Sequence, residues 1–569
     1  MDYSILADYY ERLEKVSAKL KKTEILAELF RKTETEELER VVLLVQGIVY
    51  PKFTQLELGI ATQMMMKAIS KATGFKTEEI EQKFARLGDL GLVAEECIKS
   101  RKQVTLLTKK LTVKFVFENL RKIATITGEG SQERKLNLII ELLVSAKPKE
   151  ARYIVRTILG ELRVGVAEGL IRDAIVQAFL VKEGMNKKEK EEAIQAVDYA
   201  WNILSDFSEI ARIAKEEGIE GLKRTKIQLG RPIQVMLGEK AESIEEVVRE
   251  FGKIAAEYKY DGMHAEIHKK EDQIWIYTRR LEDVTKQFPD LVEVCRKGLK
   301  AKECIVEGEA LAINPKTNIP LPFQVLSQRI HRKYDIEKMV KEIPIQLNLF
   351  DIVYLDGQLL FDKPFIERRK ILEKIVEKIE GKLQLAKQII SDDVKEIENF
   401  YKEALEAKQE GLMLKVLNSP YVFGRHVGTM YKIKPIMETL DLVIVGATWG
   451  EGARAKWLTS FELACRDPDT GKFLRCGMMS TGLTEDEYQQ MTEILKPLII
   501  EEKGKSVRVR PKIVIEVGYQ EIQKSPNYES GFALRFPRFI RDRTADKSPE
   551  EADTLDRLKA LFESQGKVG

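Results

Sequence analysis

The spacing of hydrophobic residues changes near residue 225, and no other feature of the chain constrains its fold as strongly. Before that point apolar residues recur at intervals of three and four, as Leu136, Ile140, Leu143 and Val144 do in LNLIIELLVSAKPKEARYIVRTILGEL. Such spacing places apolar side chains on one face of a helix. After it, short runs of alternating apolar and polar residues are bounded by turn residues, which is typical of strands. The pattern therefore predicts a helical part followed by a strand-rich part.

The strand-rich part divides again after YKIKPIMETLDLVIVGATWG. Four runs before this point predict strands: DQIWIYTRR, ECIVEGEALAINP, IQLNLFDIVYLDG and EGLMLKVL. Beyond it, SFELACRDPDTGKFLRCGMM predicts a hairpin. IVIEVGYQEIQ alternates so that Ile513, Ile515, Val517 and Tyr519 share one strand face.

These patterns predict three domains: an all-α domain over residues 1–225, a mixed α/β domain over 232–436 and a small β domain over 437–569. KRTKIQLGRPIQVMLG combines basic residues with Gly230 and Pro232 and is typical of a linker between the first two. The charged stretch KKEKEEAIQA, residues 187–196, indicates a solvated helix face.

Composition excludes several classes of protein. No apolar run approaches the length of a membrane span, and the acidic, aromatic start MDYSILADYYERLEK does not resemble a signal peptide. Five scattered cysteines without CxxC spacing argue against a disulfide framework and a zinc site, so an intracellular location is expected. The net charge is only +3, so any basic binding surface must be local. A charged fraction of 33% favours a heat-adapted source.

One lysine in EYKYDGMHAEIH stands at the end of a predicted strand, two residues before an Asp-Gly turn. An ordinary lysine is deprotonated in only about one molecule in 2,500 at pH 7. Partial burial or neighbouring cations that lowered its pKa to roughly 8 would increase that fraction about two-hundredfold and make it a nucleophile. Taken alone, Lys259 is equally compatible with an ordinary edge-strand lysine beside a turn.

The blocks that accompany Lys259 change this interpretation. They are, in chain order, Lys259-Tyr260-Asp261-Gly262, Thr278-Arg279, Glu307-Gly308-Glu309, Phe350-Asp351, Glu410-Gly411-Leu412-Met413-Leu414-Lys415 and Lys432-Ile433-Lys434, with LRFPRFIRDRTADKSPEEADT near the C-terminus. With these blocks the sequence resembles, over essentially its whole length, the ATP-dependent DNA ligases of the archaeal type, which are similar to the eukaryotic replicative enzyme.

The resemblance implies a reaction in three steps. Lys259 would attack the α-phosphate of ATP to give lysyl-AMP and pyrophosphate. The AMP would move to the 5′-phosphate of a DNA nick, and the 3′-hydroxyl would then attack that phosphate and release AMP. A covalent intermediate divides one difficult condensation into easier steps.

The resemblance also implies a nucleotide site. Phe350 would stack on the adenine, Glu257 would fix the base, Glu309 would bind the ribose, and Arg279 would lie near the nucleotide and the DNA phosphate. Without the ordered blocks, Phe350 would be interpreted as a core aromatic of a strand.

A second set of residues would act on phosphate and metal. Glu410, with Glu309, would bind Mg²⁺, an ion that prefers carboxylate oxygens. Lys432 and Lys434 alternate with Ile433 and so point to one strand face, from which they could hold the α-phosphate. In isolation these are equally ordinary surface residues.

The C-terminal block concentrates cations, namely Arg535, Arg538, Arg541, Arg543 and Lys547. Such density suits polyphosphate or nucleic acid. The resemblance places the block on a C-terminal β-barrel of the OB fold, a common nucleic-acid platform, and implies contact with the pyrophosphate of ATP. Arg541, Asp546 and Lys547 are the candidates, although RTADK has one more residue between Arg and Asp-Lys than some relatives.

In the helical domain, the resemblance makes Arg163 and Gly165 of GELRVGVAEGLIRDAI part of a DNA minor-groove contact. Arg152 and Arg156 are one helical turn apart and could share that face; a helix cap and a solvated helix side would explain the same residues. The segment Gln103–Leu107, QVTLL, stands where relatives carry a sliding-clamp motif, but it lacks the paired aromatics and is equally typical of a loop.

Two positions depart from the family pattern. His264 stands where relatives have arginine, and Arg425-His426 stands where they have two arginines. Imidazole loses its charge near pH 6.5, whereas guanidinium does not. We therefore hypothesise that nucleotide binding is weaker or more pH-dependent than in relatives.

The sequence thus predicts a monomeric, intracellular, nucleoid-associated enzyme of DNA replication, repair and recombination that uses ATP and Mg²⁺ on nicked duplex DNA. The blocks do not distinguish ATP from ADP, GTP or NAD. An RNA ligase or an mRNA-capping enzyme shares the lysine block, but the long helical domain argues against both. A non-catalytic DNA-binding relative is a further alternative, supported by His264 and His426 only.

Overall fold

The computed structural model describes residues 1–101, 109–317, 319–321, 323–330, 335–425, 428–435, 439–545 and 547–565. The candidate clamp segment Gln103–Leu107, His426, Asp546 and the side chain of Arg425 lie outside this description. In the described part of the chain, no helix is long and apolar enough to cross a membrane.

The described residues before the linker form helices that pack around one large apolar core. These helices are α1 (Tyr3–Glu14), α2 (Lys19–Lys32), α3 (Thr35–Val45), α4 (Thr62–Thr73), α5 (Thr77–Leu87), α6 (Leu90–Lys99), α7 (Val113–Thr125), α8 (Ser131–Ser145), α9 (Pro148–Ile158), α10 (Glu168–Ile175), α11 (Lys187–Leu204) and α12 (Phe207–Lys223). Helix α10 continues into a π-helical turn, Val176–Leu180.

The predicted helical stretch around residue 140 is two helices, because α8 ends before Pro148, which opens α9. Pro is favoured in the first helical turn, where its missing N–H would have no partner. The stripe that faces the core is also shifted from the predicted one. Leu136 and Leu143 are buried as expected, but Ile139 is buried whereas Ile140 is only partly buried.

The middle of the chain carries two large sheets with helices against them, and a separate two-stranded sheet of its first and its twelfth strand. Its elements are β1 (Met236–Leu237), β2 (Glu239–Lys240), α13 (Ile244–Phe251), β3 (Ile254–Lys259), β4 (Met263–Lys270), β5 (Gln273–Thr278), α14 (Pro289–Gly298), β6 (Glu303–Ala312), α15 (Phe323–Ile330), α16 (Ile336–Glu342), β7 (Ile345–Leu355), β8 (Gln358–Leu359), α17 (Phe365–Ile375), β9 (Leu383–Leu385), β10 (Gln388–Ser391), α18 (Val394–Glu406), β11 (Gly411–Val416), β12 (Gly424–Arg425) and β13 (Met430–Ile433). One sheet has the order β10-β3-β11-β13-β2 and the other the order β5-β4-β6-β7-β8. The four predicted strands are confirmed as β5, β6, β7 and β11.

The linker between the helical and middle parts is held on both sides. Arg231 donates to the backbone oxygen of Leu204 at 2.7 Å and to Glu209 at 2.7 Å. The hydroxyl of Tyr277 donates to the carbonyl of Gly230 at 2.5 Å. Gly230 has a φ of +87°, and a Cβ there would lie 2.9 Å from the ring of Trp275, so glycine is required.

The last part of the chain is mainly a bent antiparallel sheet, ordered β16-β15-β14-β18-β17, with β19 joining β14 to β22. Its elements are β14 (Leu440–Trp449), β15 (Leu458–Arg466), β16 (Phe473–Met479), α19 (Glu485–Leu495), β17 (Ile499–Lys503), β18 (Ser506–Val509), β19 (Val514–Gly518), β20 (Glu521–Lys524), β21 (Phe532–Arg535), β22 (Arg538–Asp542) and α20 (Leu555–Gln565). The predicted hairpin is confirmed as β15 and β16.

The alternating run from residue 513 to 523 is two strands, β19 and β20, and not one. The predicted apolar face is present: Ile513, Ile515, Val517 and Tyr519 are all buried in the core of this part. The chain turns after Gly518, so the second half of the run pairs with β21 and leaves the main sheet.

Candidate active site

A pocket of about 800 Å³ lies between the two sheets of the middle part, and its lining includes residues from every predicted nucleotide block. The end of β3 delivers Lys259 to this pocket, and Glu410, immediately before β11, donates its backbone N–H to the carbonyl of Lys259 at 2.8 Å. Alternation along β3 sends Tyr258 the other way, against Phe400 of α18. The strand therefore places Glu257 and Lys259 on the pocket side.

The Asp261-Gly262 turn after Lys259 requires glycine at its second position. A Cβ on Gly262 would lie 2.4 Å from the backbone oxygen of Ala310 in β6, so the turn can approach the second sheet this closely only with glycine. The turn thereby brings the ends of β3 and β4 together at the pocket.

Two ammonium groups share one carboxylate in the pocket. The Oε2 atom of Glu410 is 2.5 Å from Nζ of Lys259 and 2.6 Å from Nζ of Lys434. Burial alone would raise the pKa of Glu410, but the two lysines outweigh it and lower that pKa to about 2. The two nitrogens therefore lie within about 5 Å of each other, on either side of one carboxylate oxygen.

The predicted base contact, Glu257, is held by three other side chains. Its Oε2 atom is 2.7 Å from Nζ of Lys415, and its Oε1 atom accepts from Gln388 at 2.8 Å and from Arg369 at 3.2 Å. The exposed fraction of Glu257 is 2%. A carboxylate this buried needs ionic or hydrogen-bond partners for both oxygens, and these three side chains supply them. The carboxylate is thus fixed in position at the pocket wall.

Phe350, the predicted stacking residue, lies at the pocket with one ring face occupied. The ammonium of Lys415 is 4.6 Å from the centre of the Phe350 ring and 4.7 Å from that of Phe365, which is cation–π geometry. Sequence reasoning missed Lys415 as a site residue although it ends the EGLMLK block. Its alternation with Leu414 along β11 was the available signal.

His264 on β4 is the direct cross-strand neighbour of Glu309 on β6 in the second sheet. Its Nε2 atom is 3.5 Å from Glu307, whose other carboxylate oxygen accepts the hydroxyl hydrogen of Tyr421. Burial alone would lower the pKa of His264, but the Glu307 and Glu309 carboxylates outweigh it and raise that pKa. Imidazolium therefore persists to higher pH here than in an ordinary histidine.

Glu309 is the other unusual carboxyl of the pocket. Burial raises its pKa to about 7, although Lys259 and His264 oppose the shift. In the described part of the chain, no three His, Cys, Asp or Glu side chains are close enough to hold a metal ion by themselves. A cation in this pocket would therefore need ligands from a substrate as well as from Glu309 and Glu410.

Comparison with known proteins decides the family. The model of the ATP dependent DNA ligase domain matches residues 235–434, that of the DNA ligase N terminus residues 2–176, and that of the ATP dependent DNA ligase C terminal region residues 454–546. This chain belongs to the ATP-dependent DNA ligases. A DNA ligase of Nanoarchaeum equitans is 50% identical over 573 residues and covers 99% of both chains, and one of Archaeoglobus fulgidus is 46% identical and covers 100% of both. The solved structure named Pmar-Lig_PreS3 has a TM-score of 0.58 at 16% identity and covers 95% of this chain and 99% of its own, which supports the fold alone.

Two predicted nucleotide residues of this DNA ligase, Arg541 and Lys547, are not part of the pocket lining, and their contact with the nucleotide stays a prediction. Arg541 is bound to Glu516 at 2.6 Å, and Lys547 is bound to Asp441 at 2.5 Å. Arg535, at the end of β21, lines the pocket. The spacing of the five cations does not predict which of them lines the pocket, because that depends on which strand ends face the middle part.

Arg279 and Lys432 do line the pocket. Arg279 follows β5 and is exposed. Lys432 lies on β13 opposite Met413 of β11, and with Lys434 it places two cations on the same wall. The predicted alternation of these lysines is therefore confirmed as a shared face.

In the helical part of the ligase, Arg152 and Arg156 are paired with carboxylates, and their contact with DNA stays a prediction. The two arginines share one side of α9, but that side faces α6 and α1 and not solvent. Arg156 is 3% exposed and binds Asp89 at 2.8 Å and Glu14 at 3.0 Å, and Arg152 donates to Glu95 at 2.6 Å. Neither is free to meet a phosphate in this arrangement.

The predicted loop residues Arg163 and Gly165 are at the surface, in a tight backbone conformation. Their φ angles are +58° and +64°, the left-handed region that is costly for arginine. The Arg163 side chain binds Glu161 at 2.6 Å and lies 3.5 Å from Asp89, so Arg156 and Arg163 converge on one carboxylate. Asp89 also accepts from the first amides of α6.

We expect Glu309→Gln to stabilise the ligand-free ligase at pH 8 by about 1–2 kcal/mol and to have no such effect at pH 4. The folded pKa of about 7 exceeds the usual 4.5, so the cost of ionising Glu309 in the folded chain grows as pH rises from 4.5 to 7, is constant above pH 7 and is absent below pH 4.5. Thermal unfolding of both proteins between pH 4 and 8 measures this. Glu303→Gln, on the same strand, is the control, and an equal shift at both pH values would contradict the prediction.

Proposed function

We propose that this DNA ligase seals nicks through AMP carried on Lys259. The observation that carries the proposal is the pairing of Lys259 and Lys434 with the single carboxylate of Glu410 inside the pocket. Nζ of Lys259 forms a bond to the α-phosphorus of ATP as the bond to pyrophosphate breaks. The 5′-phosphate at the nick then displaces the lysine, and the 3′-hydroxyl finally displaces AMP, which leaves a phosphodiester.

The residues that would bind the adenine base and the ribose line the same pocket as Lys259, which supports the binding of ATP there. Phe350 lines the pocket and would stack on adenine, and Glu257, held by Lys415 and Arg369, would accept from an exocyclic amino group. Glu309 would accept from ribose, and Lys432 and Lys434 would offset the charge that grows on the α-phosphate. Arg279 would meet the far side of the nucleotide and the DNA phosphate.

The carboxylates fit a magnesium ion that is shared with the nucleotide. Mg²⁺ is usually bound by one or two carboxylates together with substrate phosphates, and Glu410 and Glu309 supply such a pair. A bound divalent cation supplies charge neutralisation for the phosphates. Its attraction for Glu410 would release Lys259 from its ion pair and leave the side chain able to reach the α-phosphate.

We further propose that the N-terminal part is an all-α DNA-binding domain and the last part an OB-fold barrel. The Arg163–Gly165 loop would contact the DNA backbone, with Arg156 and Arg152 as its buried support. Arg541 and Lys547 would reach the pyrophosphate only after leaving Glu516 and Asp441, which requires the last part to move. A sliding-clamp contact through Gln103–Leu107, a monomeric state and a nucleoid-associated, intracellular location stay predictions.

The test uses ATP labelled at the α-phosphate on protein first treated with pyrophosphate. We expect label on the denatured chain with Mg²⁺ present, and its transfer and release when a nicked DNA duplex is added. Nicked RNA duplex and triphosphate-ended RNA serve as parallel substrates. Label that leaves only with these RNAs would favour an RNA ligase or capping enzyme, and the absence of label would favour a non-catalytic relative.

We expect ATP affinity to fall about fivefold between pH 6 and 8 as His264 loses its charge, and to change less in His264→Arg/His426→Arg. The pKa of His264 is raised, so the loss should come above pH 6.5. Equilibrium binding of a non-hydrolysable ATP analogue to both proteins measures this. Unchanged affinity from pH 6 to 8 in both proteins would contradict the prediction.

A further inference from the structure

Lys22, on α2, is a buried lysine whose ammonium lies beneath the Arg163–Gly165 loop. Its exposed fraction is 8%, and its Nζ atom donates to the backbone oxygens of Val164 at 2.6 Å and Gly165 at 3.2 Å. Burial lowers the pKa of Lys22, and no carboxylate of the described residues is among the groups that perturb it. A buried lysine with carbonyl partners is rare, because burial without an opposite charge is costly.

The loop and the lysine fit each other closely. A Cβ added at Gly165 would lie 2.4 Å from Nζ of Lys22, so glycine leaves the space that the ammonium fills. Arg163 has a positive φ, which is unfavourable for a non-glycine residue and persists only where the surroundings fix it. Lys22 fixes the loop from below, and Asp89 approaches Arg163 at 3.5 Å from the side.

The direction of these hydrogen bonds decides what the loop shows to solvent. In a trans peptide the C=O and the following N–H point in opposite directions. Because the carbonyls of Val164 and Gly165 point at Lys22, the amides of Gly165 and Val166 point away from it. Backbone amides that face outward beside an arginine are the groups that bind phosphate oxygens.

We propose that Lys22 is a positioning residue for nick binding: it turns the carbonyls of the Arg163–Gly165 loop inward so that the loop amides and Arg163 face the DNA backbone. The proposal rests on the proposed function, in which this loop contacts DNA. It assigns no chemical step to Lys22, and the adenylation pocket lies on another part of the chain.

The test compares Lys22→Met with Lys32→Met, an exposed lysine at the other end of α2. Binding to a nicked duplex with a 3′-dideoxy end is measured by fluorescence anisotropy at several salt concentrations, and self-adenylation with labelled ATP is measured in parallel. We expect Lys22→Met to weaken nick binding about tenfold and to reduce the salt dependence by roughly one phosphate contact. Its self-adenylation should stay within about twofold of wild type, and Lys32→Met should match wild type in both assays.

Two results would overturn the proposal. One is nick affinity in Lys22→Met equal to that in Lys32→Met. The other is an equal loss of self-adenylation, which would show a general structural role. If Lys22→Met unfolds at the assay temperature, Lys22→Arg decides: it keeps the charge and the donors, so retained nick affinity supports the proposal and lost affinity overturns it. Failure of wild type to bind the nick would instead refute the proposed function.

Discussion

Lys259→Ala is expected to abolish transfer of AMP to the chain and to reduce nick sealing with ATP by at least about 10⁴-fold, because no other nucleophile replaces a lost one. Glu410 and Lys434 remain in place without it, so ATP should still bind. The measurement is labelled adenylate on the denatured chain, followed by a sealing assay. Sealing of a nick that already carries AMP on its 5′-phosphate should persist within about tenfold, since that step does not use the amine.

Lys253→Ala is the matched control, because Lys253 is an exposed lysine just before the same strand, β3. It should label and seal as wild type does. Label retained by Lys259→Ala would place the nucleophile elsewhere, and loss of sealing on the preadenylated nick would mean that the substitution had damaged the fold of the pocket. Thermal unfolding of both variants separates these cases.

Residues whose roles follow from strand alternation were predictable from the sequence. Glu257 and Lys259 are two apart on β3, and Lys432 and Lys434 are two apart at β13, so each pair had to share a side. The order of the blocks then indicated one pocket, and all four of these residues line it.

Residues whose roles depend on partners distant in sequence were not predictable. Lys415 and Arg369 hold Glu257, but Arg369 comes from α17, 112 residues away. Arg156 has the sequence pattern of a surface helix residue, and only packing against Asp89 and Glu14 makes it internal. In the sequence, Lys22 is one of several lysines in KLKK, and its burial depends on a contact with Val164, 142 residues later in the chain.

The sequence could not show which cation of the C-terminal block lines the pocket. The five cations of the block are equivalent in the sequence, yet Arg535, which pairs with Glu521, lines the pocket, while Arg541 and Lys547 pair with carboxylates outside its lining. The distribution follows from the turn at Phe536, which has a φ of +49° and separates β21 from β22. A positive φ at a phenylalanine is not readable from composition or periodicity.

Glu410→Gln is expected to slow both adenylation and sealing by about 10²- to 10³-fold, mainly in kcat. The amide no longer holds the ammonium groups of Lys259 and Lys434 by ion pairs, and it is a poorer ligand for a hard cation. The affinity for ATP should change little, because the base end is formed by other residues. Rates at saturating ATP and Mg²⁺ measure the effect.

The same substitution should destabilise the chain by about 1–2 kcal/mol at pH 7, since it breaks a half-buried ion pair. The folded pKa of Glu410, about 2, is below the usual 4.5. Its contribution is therefore fully present above pH 4.5 and lost as pH falls toward 2, so the two proteins should converge in stability below pH 4.

Glu403→Gln is the control for Glu410→Gln, because this exposed carboxylate on α18 pairs with Lys387 outside the pocket. It should leave both rates unchanged. If Glu410→Gln adenylated within about threefold of wild type, the carboxylate would be no more than a resting partner of Lys259, and release of the lysine would not need a divalent cation. If only adenylation slowed while preadenylated nicks were sealed normally, Glu410 would act on the first transfer alone.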